Sequence, residues 1–284
     1  MKKLLLFFLA LGTLNTYAQD LPQPSPKSTV EQRVGLTDFT VEYSRPAKRD
    51  REIFGALVPY GKLWRTGANK ATSIEFNTAV VFNGEEVPAG KYSIFTVPRE
   101  NEWVLILNSN TELWGNDGYE ESKDVFRASM PAKEYPKQEN FTIGFNSIDE
   151  GEGSLEISWD GTGISVPFTV DVVEKAKSNI TEALKSAKPE DQWRVHRNAA
   201  TYYLRSLNDA ETAKGFIEGS VKLNPDSWYS HYVHGEVLYA LGDNKGAVKA
   251  AKTALKKGEA AAKEAGQEFG YASMLEEAMT KWKK

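Results

Sequence analysis

Residues 141–159 read FTIGFNSIDEGEGSLEISW, and this stretch decides the fold class of the first half of the chain. Every second residue is apolar in FTIGF (141–145) and again in LEISW (155–159). This alternation is typical of a strand that buries one face in a core. The glycines of GEG (151–153) predict a turn between the two segments, so together they predict an antiparallel hairpin.

Similar short segments recur outward from this hairpin, from residue 27 to residue 172. The predicted strands are Leu36–Tyr43, Ser73–Phe82, Tyr92–Val97, Trp103–Leu107, Phe141–Ile148, Ser154–Trp159 and Ile164–Val172. Turn sequences such as Asn83-Gly84 lie between them. Many short antiparallel strands without intervening helices predict a β-sandwich-like domain over residues 27–172.

The apolar period changes to that of helices after residue 173. The predicted helices are Val173–Ser186, Glu190–Leu207, Ala210–Leu223, Ser227–Leu241, Lys245–Gly258 and Phe269–Lys283. The fold class predicted for the whole chain is therefore α+β in two segregated parts, with an all-α domain over residues 173–284. The two predicted domains also differ in net charge, which is −8 for residues 27–172 and +3 for residues 173–284. Neither value favours nucleic acid as a partner.

The sequence of the helical half contains an internal similarity at an offset of 34 residues. The offset aligns Leu204 with Leu238, Leu207 with Leu241, Asp209 with Asp243, Ala213 with Ala247 and Ser220 with Ala254. This period and this placement of small residues resemble the tetratricopeptide repeat, although Glu259 stands where that family usually has proline. A generic helical bundle is the alternative. Two repeats are fewer than the three that usually give stability, so we expect the flanking helices to cap the array.

The resemblance implies a groove that binds a peptide or a protein partner, lined by the first helix of each repeat. By position, the candidate groove residues are His196, Arg197, Tyr202, Tyr229, His231 and Tyr232. Ordinary packing between helices is the alternative for each of them.

The first 18 residues have the pattern of a signal peptide. Lys2 and Lys3 precede the apolar run Leu4–Leu11, and the small-x-small pattern at 16–18 predicts cleavage before Gln19. We therefore expect an exported protein in the periplasm, with secretion as the alternative, and residues 19–26 as a linker.

The chain contains no cysteine, which excludes disulfides, thiolate metal sites and a lipid-modified cysteine. No later segment has the length or apolarity of a membrane span.

Residues 45–70 form an unusually basic segment, with seven basic residues and two acidic ones. Its glycines and prolines predict a loop, and loops of this length are either functional or disordered. The guanidinium groups could bind an anion, while the aromatic rings offer stacking faces for a sugar. The hypothetical ligand-binding residues are Arg45, Arg51, Tyr60, Trp64, Arg65 and Asn69. In the alternative, the rings pin the loop to the sheet and the arginines pair with strand acids such as Glu42 and Glu75.

A family resemblance rests on the same segment. The motifs are YSRP (43–46), REIFGALVPYGKLWRTGANKAT (51–72), PAGKYSIFTVP (88–98) and EWVLILN (102–108). Together they resemble the domain-of-unknown-function 2911 family over residues 25–172. The resemblance implies an exported bacterial protein, often with tetratricopeptide repeats behind the domain. It implies no activity, so no catalytic residue can be transferred.

Catalysis finds little support in the sequence. It has no G-x-S-x-G elbow, phosphate-binding loop or H-E-x-x-H motif. His231 and His234 lie three residues apart on one predicted helix, but no third metal ligand accompanies them. We therefore predict a non-catalytic recognition or scaffold protein without cofactor or metal, which binds its partner through the helical repeats. Binding of an anionic small molecule or glycan by loop 45–70 is the alternative. A hydrolase using carboxylates such as Asp124 or Glu75 ranks third.

Overall fold

The computed structural model describes residues 21–284, so the predicted signal peptide lies outside the described residues. The described chain forms two compact units that divide between Val172 and Val173. None of the helices among the described residues is both long and apolar enough to cross a membrane.

The first unit consists of two antiparallel sheets. The strands are β1 (Lys27–Val34), β2 (Thr37–Ser44), β3 (Thr72–Phe76), β4 (Val80–Phe82), β5 (Glu85–Val87), β6 (Gly90–Pro98), β7 (Glu102–Asn108), β8 (Asp124–Pro131), β9 (Lys133–Glu134), β10 (Thr142–Asn146), β11 (Glu152–Trp159) and β12 (Thr162–Val170). The strand order is β1-β2-β3-β6-β7-β8 in one sheet and β10-β11-β12-β4-β5 in the other, where β9 also pairs with β12.

The core lies between the two sheets, because their buried side chains form one hydrophobic cluster. Val41 and Ile74 from the first sheet share this cluster with Ile157 and Phe168 from the second. The predicted hairpin is confirmed: β10 and β11 pair antiparallel, with Ile143 opposite Ile157. The alternation that predicts the strands therefore also forms the inner faces of the sandwich.

One predicted strand, Ser73–Phe82, is wrong, because the chain leaves the first sheet after β3 and enters the second as β4. The residues between the two strands bond back to the start of β2. The Asn77 side chain accepts a hydrogen bond from the backbone N–H of Asp38 (2.9 Å), and the hydroxyls of Thr37 and Thr78 lie 2.6 Å apart. These contacts turn the chain without a glycine or proline, so Asn77 is the one turn-forming residue in the sequence between the two strands.

The predicted basic loop connects β2 to β3 and crosses the sandwich in an irregular path. Short bridges hold it at three places: Ala47 pairs with Asn140, Trp64 with Thr96 of β6, and Lys70 with Trp114. The backbone of Trp64 both donates to and accepts from that of Thr96, at 2.8 and 2.9 Å. The loop is therefore fixed against both sheets along its length.

The second unit is helical, with six helices among the described residues. They are α1 (Val172–Ser186), α2 (Gln192–Arg205), α3 (Ala210–Leu223), α4 (Trp228–Ala240), α5 (Asn244–Glu264) and α6 (Ala272–Trp282). Short connections join α2 to α3 and α4 to α5, and Asp209 and Asp243 cap the second helix of each pair through backbone N–H groups. Ala213, Ile217 and Val233 belong to one small buried cluster between α2, α3 and α4.

Helix α5 is longer than predicted and ends at Glu264 instead of Gly258. A glycine at this point predicts a helix end. Gly258 instead lies inside the helix, where a Cβ would be only 2.2 Å from the ring of Phe269. The glycine therefore permits a close side-chain approach and does not end the helix.

Candidate functional site

The loop between β2 and β3 borders a cavity of about 250 Å³ on the first unit. Its lining residues are Pro24, Ser25, Pro46, Ala47, Arg49, Arg51, Leu57, Val58, Trp64, Arg65, Gly67, Ala68 and Trp159. We call it the arginine cavity, after its three guanidinium groups. Among the described residues, the lining contains three arginines and no carboxylate.

The guanidinium groups of Arg49 and Arg51 donate to main-chain carbonyls, whereas Nε of Arg65 has no hydrogen-bond partner among the described residues. Arg49 Nη2 donates to the carbonyl of Pro24 (3.2 Å), while Arg51 donates through Nε to the carbonyl of Lys48 (2.8 Å) and through Nη2 to that of Ala47 (2.5 Å). Arg65 Nε is buried without a hydrogen-bond partner among the described residues. Burial also lowers the pKa of Arg65, as expected for a cation that leaves water without a counter-ion.

Ion pairing is present elsewhere on the same loop. Lys48 pairs with Asp160 (2.6 Å), and Lys70 pairs with Glu112 (3.1 Å). Among residues 21–284, no carboxylate pairs with Arg49, Arg51 or Arg65. Of the two strand acids proposed as their partners, Glu42 pairs with Lys27 and Lys91 instead, which lowers its pKa. Glu75 is exposed on β3.

Two stacked indoles form the apolar wall of the cavity. The rings of Trp64 and Trp159 lie 6.3 Å apart and are nearly parallel, with an interplanar angle of 18°. Their N–H groups are already used, because Trp64 donates to the carbonyl of Gly67 and Trp159 to that of Glu139. The two side chains are only 8% and 1% exposed and belong to the core of the sandwich, so the wall offers a small apolar area and no free donor.

The cavity brings together Arg51, Trp64 and Arg65 from the predicted ligand residues, but not the other three. Arg45 donates to the carbonyl of Phe141 and to the hydroxyl of Thr142, which ties the loop to β10. Tyr60 is exposed, with its ring beside Gly55. Asn69 donates to Ser25 and Ser44. Sequence reasoning missed Arg49, which lies in the same basic segment, and Trp159, which it assigned only to the core.

A second candidate site lies on the helical unit. The rings of Tyr229, Tyr232, Trp282 and Tyr239 stack one after another at spacings of about 6 Å, and we call them the aromatic face. The guanidinium group of Arg197 extends the row, since it lies 5.3 Å from the centre of the Tyr229 ring. Burial lowers the pKa of this arginine.

A groove of about 540 Å³ opens along this face. It is lined by Leu204, Tyr232, Glu236, Tyr239, Met274, Glu277, Ala278, Lys281 and Trp282. Arg205 of α2 pairs with Glu236 of α4, which connects two of the three helices that form the groove. Burial and the neighbouring Glu236 carboxylate raise the pKa of Tyr232 to about 12.

Not every predicted groove residue lies on this face. Arg197, Tyr229 and Tyr232 form part of the row. The ring of His196 instead packs between α2 and α3, against Phe216 and over Gly219. His231 Nε2 lies 2.9 Å from the carbonyl of Pro225.

Tyr202 is half-buried on α2, with its ring against Tyr203. The missed groove residues include Glu236 and Tyr239, which follow Tyr232 by four and seven residues and so share its side of the helix. No comparable spacing in the sequence relates Trp282, on another helix, to Tyr232.

The histidines and the Asp124 carboxylate are among the groups that the sequence offers as candidate metal ligands or catalytic groups. In residues 21–284, no group of three or more His, Asp or Glu side chains is placed to hold a metal ion. Burial lowers the pKa of His234. The Asp124 carboxylate accepts hydrogen bonds from Asn108, Tyr119 and Arg127 at 2.7, 2.8 and 3.0 Å. This network satisfies the carboxylate within the fold.

Comparison with known proteins adds a family but no activity. Neither the curated proteins nor the solved structures gave a match to this chain. One family model, described as "Protein of unknown function (DUF2911)", matches residues 25–168, which is just over half of the chain and includes the whole basic loop. The chain therefore belongs to the DUF2911 family of proteins of unknown function.

Proposed function

We propose that this protein is an exported recognition protein whose helical unit holds a segment of a protein or peptide partner on the aromatic face. The observation that carries the proposal is the continuous row of stacked rings along a groove of about 540 Å³. Aromatic rings and arginines dominate the binding energy of protein interfaces because they bury large areas at low entropic cost.

A tetratricopeptide-like arrangement of the helices supports the same proposal. The sequence offset of 34 residues coincides with equivalent structural roles: Asp209 and Asp243 both cap helices, and Ala213 and Ala247 are both fully buried. In such arrays the first helix of each repeat lines a concave surface. On this assignment α2 and α4 are the first helices, and α6 packs beside α4 through Trp282 as a cap.

The chemistry of the groove favours a segment with an apolar anchor residue. Leu204, Met274 and Ala278 provide an apolar floor between the rings, and Glu277 and Lys281 place one charge of each sign among the lining residues. Because the Glu236 carboxylate is already paired with Arg205, the groove has little net charge to select a strongly charged peptide. An apolar side chain between the rings, with backbone hydrogen bonds to the polar residues, fits this lining best.

Site-specific photo-crosslinking tests the proposal. A benzophenone amino acid replaces Tyr239, which lines the groove, and in a matched control replaces Tyr271, which is exposed on the same unit but lies outside the groove. We expect a discrete crosslinked partner from the Tyr239 position only, and its loss with Tyr229→Ala/Tyr232→Ala when circular dichroism shows that variant to be folded. Equal crosslinking from both positions, or none from Tyr239, contradicts partner binding on the aromatic face.

Export is the second part of the proposal, supported by the basic and apolar pattern of residues 1–18. We expect the protein to appear in the periplasmic fraction, with secretion to the medium as the alternative. Amino-terminal sequencing of the processed protein tests the predicted cleavage, and the sequence is expected to begin with Gln19. An unprocessed chain in the cytoplasmic fraction would overturn this part.

A further inference from the structure

The arginine cavity is built by a loop whose backbone adopts unfavourable conformations at several positions. Arg49, Asp50, Thr66 and Asn69 all have left-handed backbone angles, with φ of 51°, 57°, 54° and 61°. Such conformations are uncommon outside glycine, and a β-branched residue such as Thr66 is rarer still there. Conformations of this kind cluster at functional sites, where the surrounding structure holds them.

The backbone on both sides of Arg65 is held rigidly. Trp64 pairs with Thr96 of β6, while the hydroxyl of Thr66 lies 3.1 Å from that of Thr96. The carbonyl of Thr66 also accepts a hydrogen bond from the hydroxyl of Thr72. The backbone at Arg65 is therefore held in place, and its half-buried side chain lines the cavity from there.

The positive charges of the cavity have no carboxylate partner among the described residues. Among the described residues its three guanidinium groups make no ion pair, whereas two lysines of the same loop do. The Glu139 carboxylate accepts a hydrogen bond from the backbone N–H of Arg49 and not from its guanidinium group. Arg49 and Arg51 are exposed, but Arg65 is half-buried without a counter-ion, which is unfavourable, so an anion that enters the cavity supplies the missing partner.

From this geometry we infer that the arginine cavity binds a small molecule carrying an oxyanion, a carboxylate or a phosphate, on a flat apolar ring. The oxyanion bonds to the guanidinium groups of Arg51 and Arg65, and the ring packs against the wall formed by Trp64 and Trp159. The volume of about 250 Å³ lies just below the range of roughly 300–1,000 Å³ for typical ligand sites, which limits the ligand to about one ring. This site is independent of the aromatic face on the helical unit.

Calorimetric titration of the purified protein tests the inference with four probes: benzoate, phenyl phosphate, inorganic phosphate and benzyl alcohol. We expect the two ring-bearing anions to bind, inorganic phosphate to bind more weakly and benzyl alcohol not to bind. Arg65→Met should weaken the binding of the ring-bearing anions at least tenfold. The matched control Arg99→Met removes an arginine that pairs with Glu102 outside the cavity, and should change it less than twofold.

The stability of the same variant separates a ligand site from a structural arginine. Because Arg65 Nε is buried without a partner, an apolar side chain of similar length should leave the thermal midpoint unchanged or raise it. A folded Arg65→Met protein that loses binding supports the inference. If it fails to fold, Arg51→Gln, at an exposed position, provides the binding test and is expected to weaken phenyl phosphate binding. Absence of binding to the wild type at about 10 mM probe, or equal binding by the Arg65→Met and Arg99→Met variants, overturns the inference.

Discussion

At Gly235, replacing glycine by alanine should not give the stability that this substitution normally adds inside a helix. Replacing glycine by alanine inside a helix is worth about 1 kcal/mol of stability. At Gly235, however, a Cβ would lie 2.6 Å from the indole of Trp282 and 3.1 Å from the carbonyl oxygen of Ala247. Gly215, inside α3, has open space around its Cβ position and serves as the matched control.

The magnitude follows from how tightly Trp282 is held. Its side chain is 4% exposed, and its ring stacks on those of Tyr232 and Tyr239 at 6.0 and 5.9 Å. Because the indole cannot move aside without losing these contacts, the added methyl group should cost about 1–3 kcal/mol of packing energy. We expect Gly235→Ala to range from neutral to about 2 kcal/mol less stable than wild type, and Gly215→Ala to be about 1 kcal/mol more stable.

Urea unfolding followed by the helical circular dichroism signal measures both variants. In Gly235→Ala/Trp282→Ala the steric conflict is absent, so the two substitutions should be strongly non-additive. Trp282→Ala alone should cost about 3–5 kcal/mol because it leaves a cavity among buried residues. If Gly235→Ala raises the urea midpoint as much as Gly215→Ala does, Trp282 does not pack on α4, and the aromatic face loses its third helix.

Three further predictions concern other positions. Gly163→Ala should destabilise the first unit by about 3 kcal/mol in thermal unfolding, because its Cβ would lie 2.2 Å from the main-chain oxygen of Ile157. Arg45→Ala should lower the thermal midpoint through loss of its bond to Thr142 while leaving phenyl phosphate binding within twofold, since Arg45 does not line the cavity. The folded pKa of Tyr232, about 12, lies above the unfolded value of about 10, so stability should fall as the pH rises between these values. In urea unfolding at pH 9 and pH 11, that fall should be smaller for Tyr232→Phe than for wild type.

The sequence failed to predict β1, β5, β8 and β9, of which β1 and β8 are the edges of the first sheet and β5 is an edge of the second. An edge strand has one neighbour, and β1 and β8 show weak apolar alternation, although the edge strand β10 alternates clearly. In β1 the side chains alternate between exposed and half-buried, and only Val34 is fully buried. The clear alternation from which the sandwich could be predicted lies in β10 and β11, which are an edge strand of the second sheet and its neighbour.

The candidate ligand site could be predicted only as far as it is local in sequence. Arg51, Trp64 and Arg65 belong to one basic, aromatic segment, whose composition marks it as unusual. Trp159 reaches the cavity from β11, nearly a hundred residues later, and its alternating strand pattern indicates only that it is buried. Register and sheet packing bring it beside Trp64, and neither follows from the pattern of one segment.

A count of charges cannot separate the basic residues of the loop that bind something from those that hold the fold. All seven contribute equally to that count, yet the fold supplies carboxylates to Lys48 and Lys70, while the arginines of the cavity have none among the described residues. The difference fits the chemistry of the two side chains. A lysine is a flexible point charge that reaches a nearby acid, whereas an arginine presents a rigid fork suited to two oxygens at once. What distinguishes the cavity is therefore that no acid of the described chain lines it, a property of the fold that no local motif records.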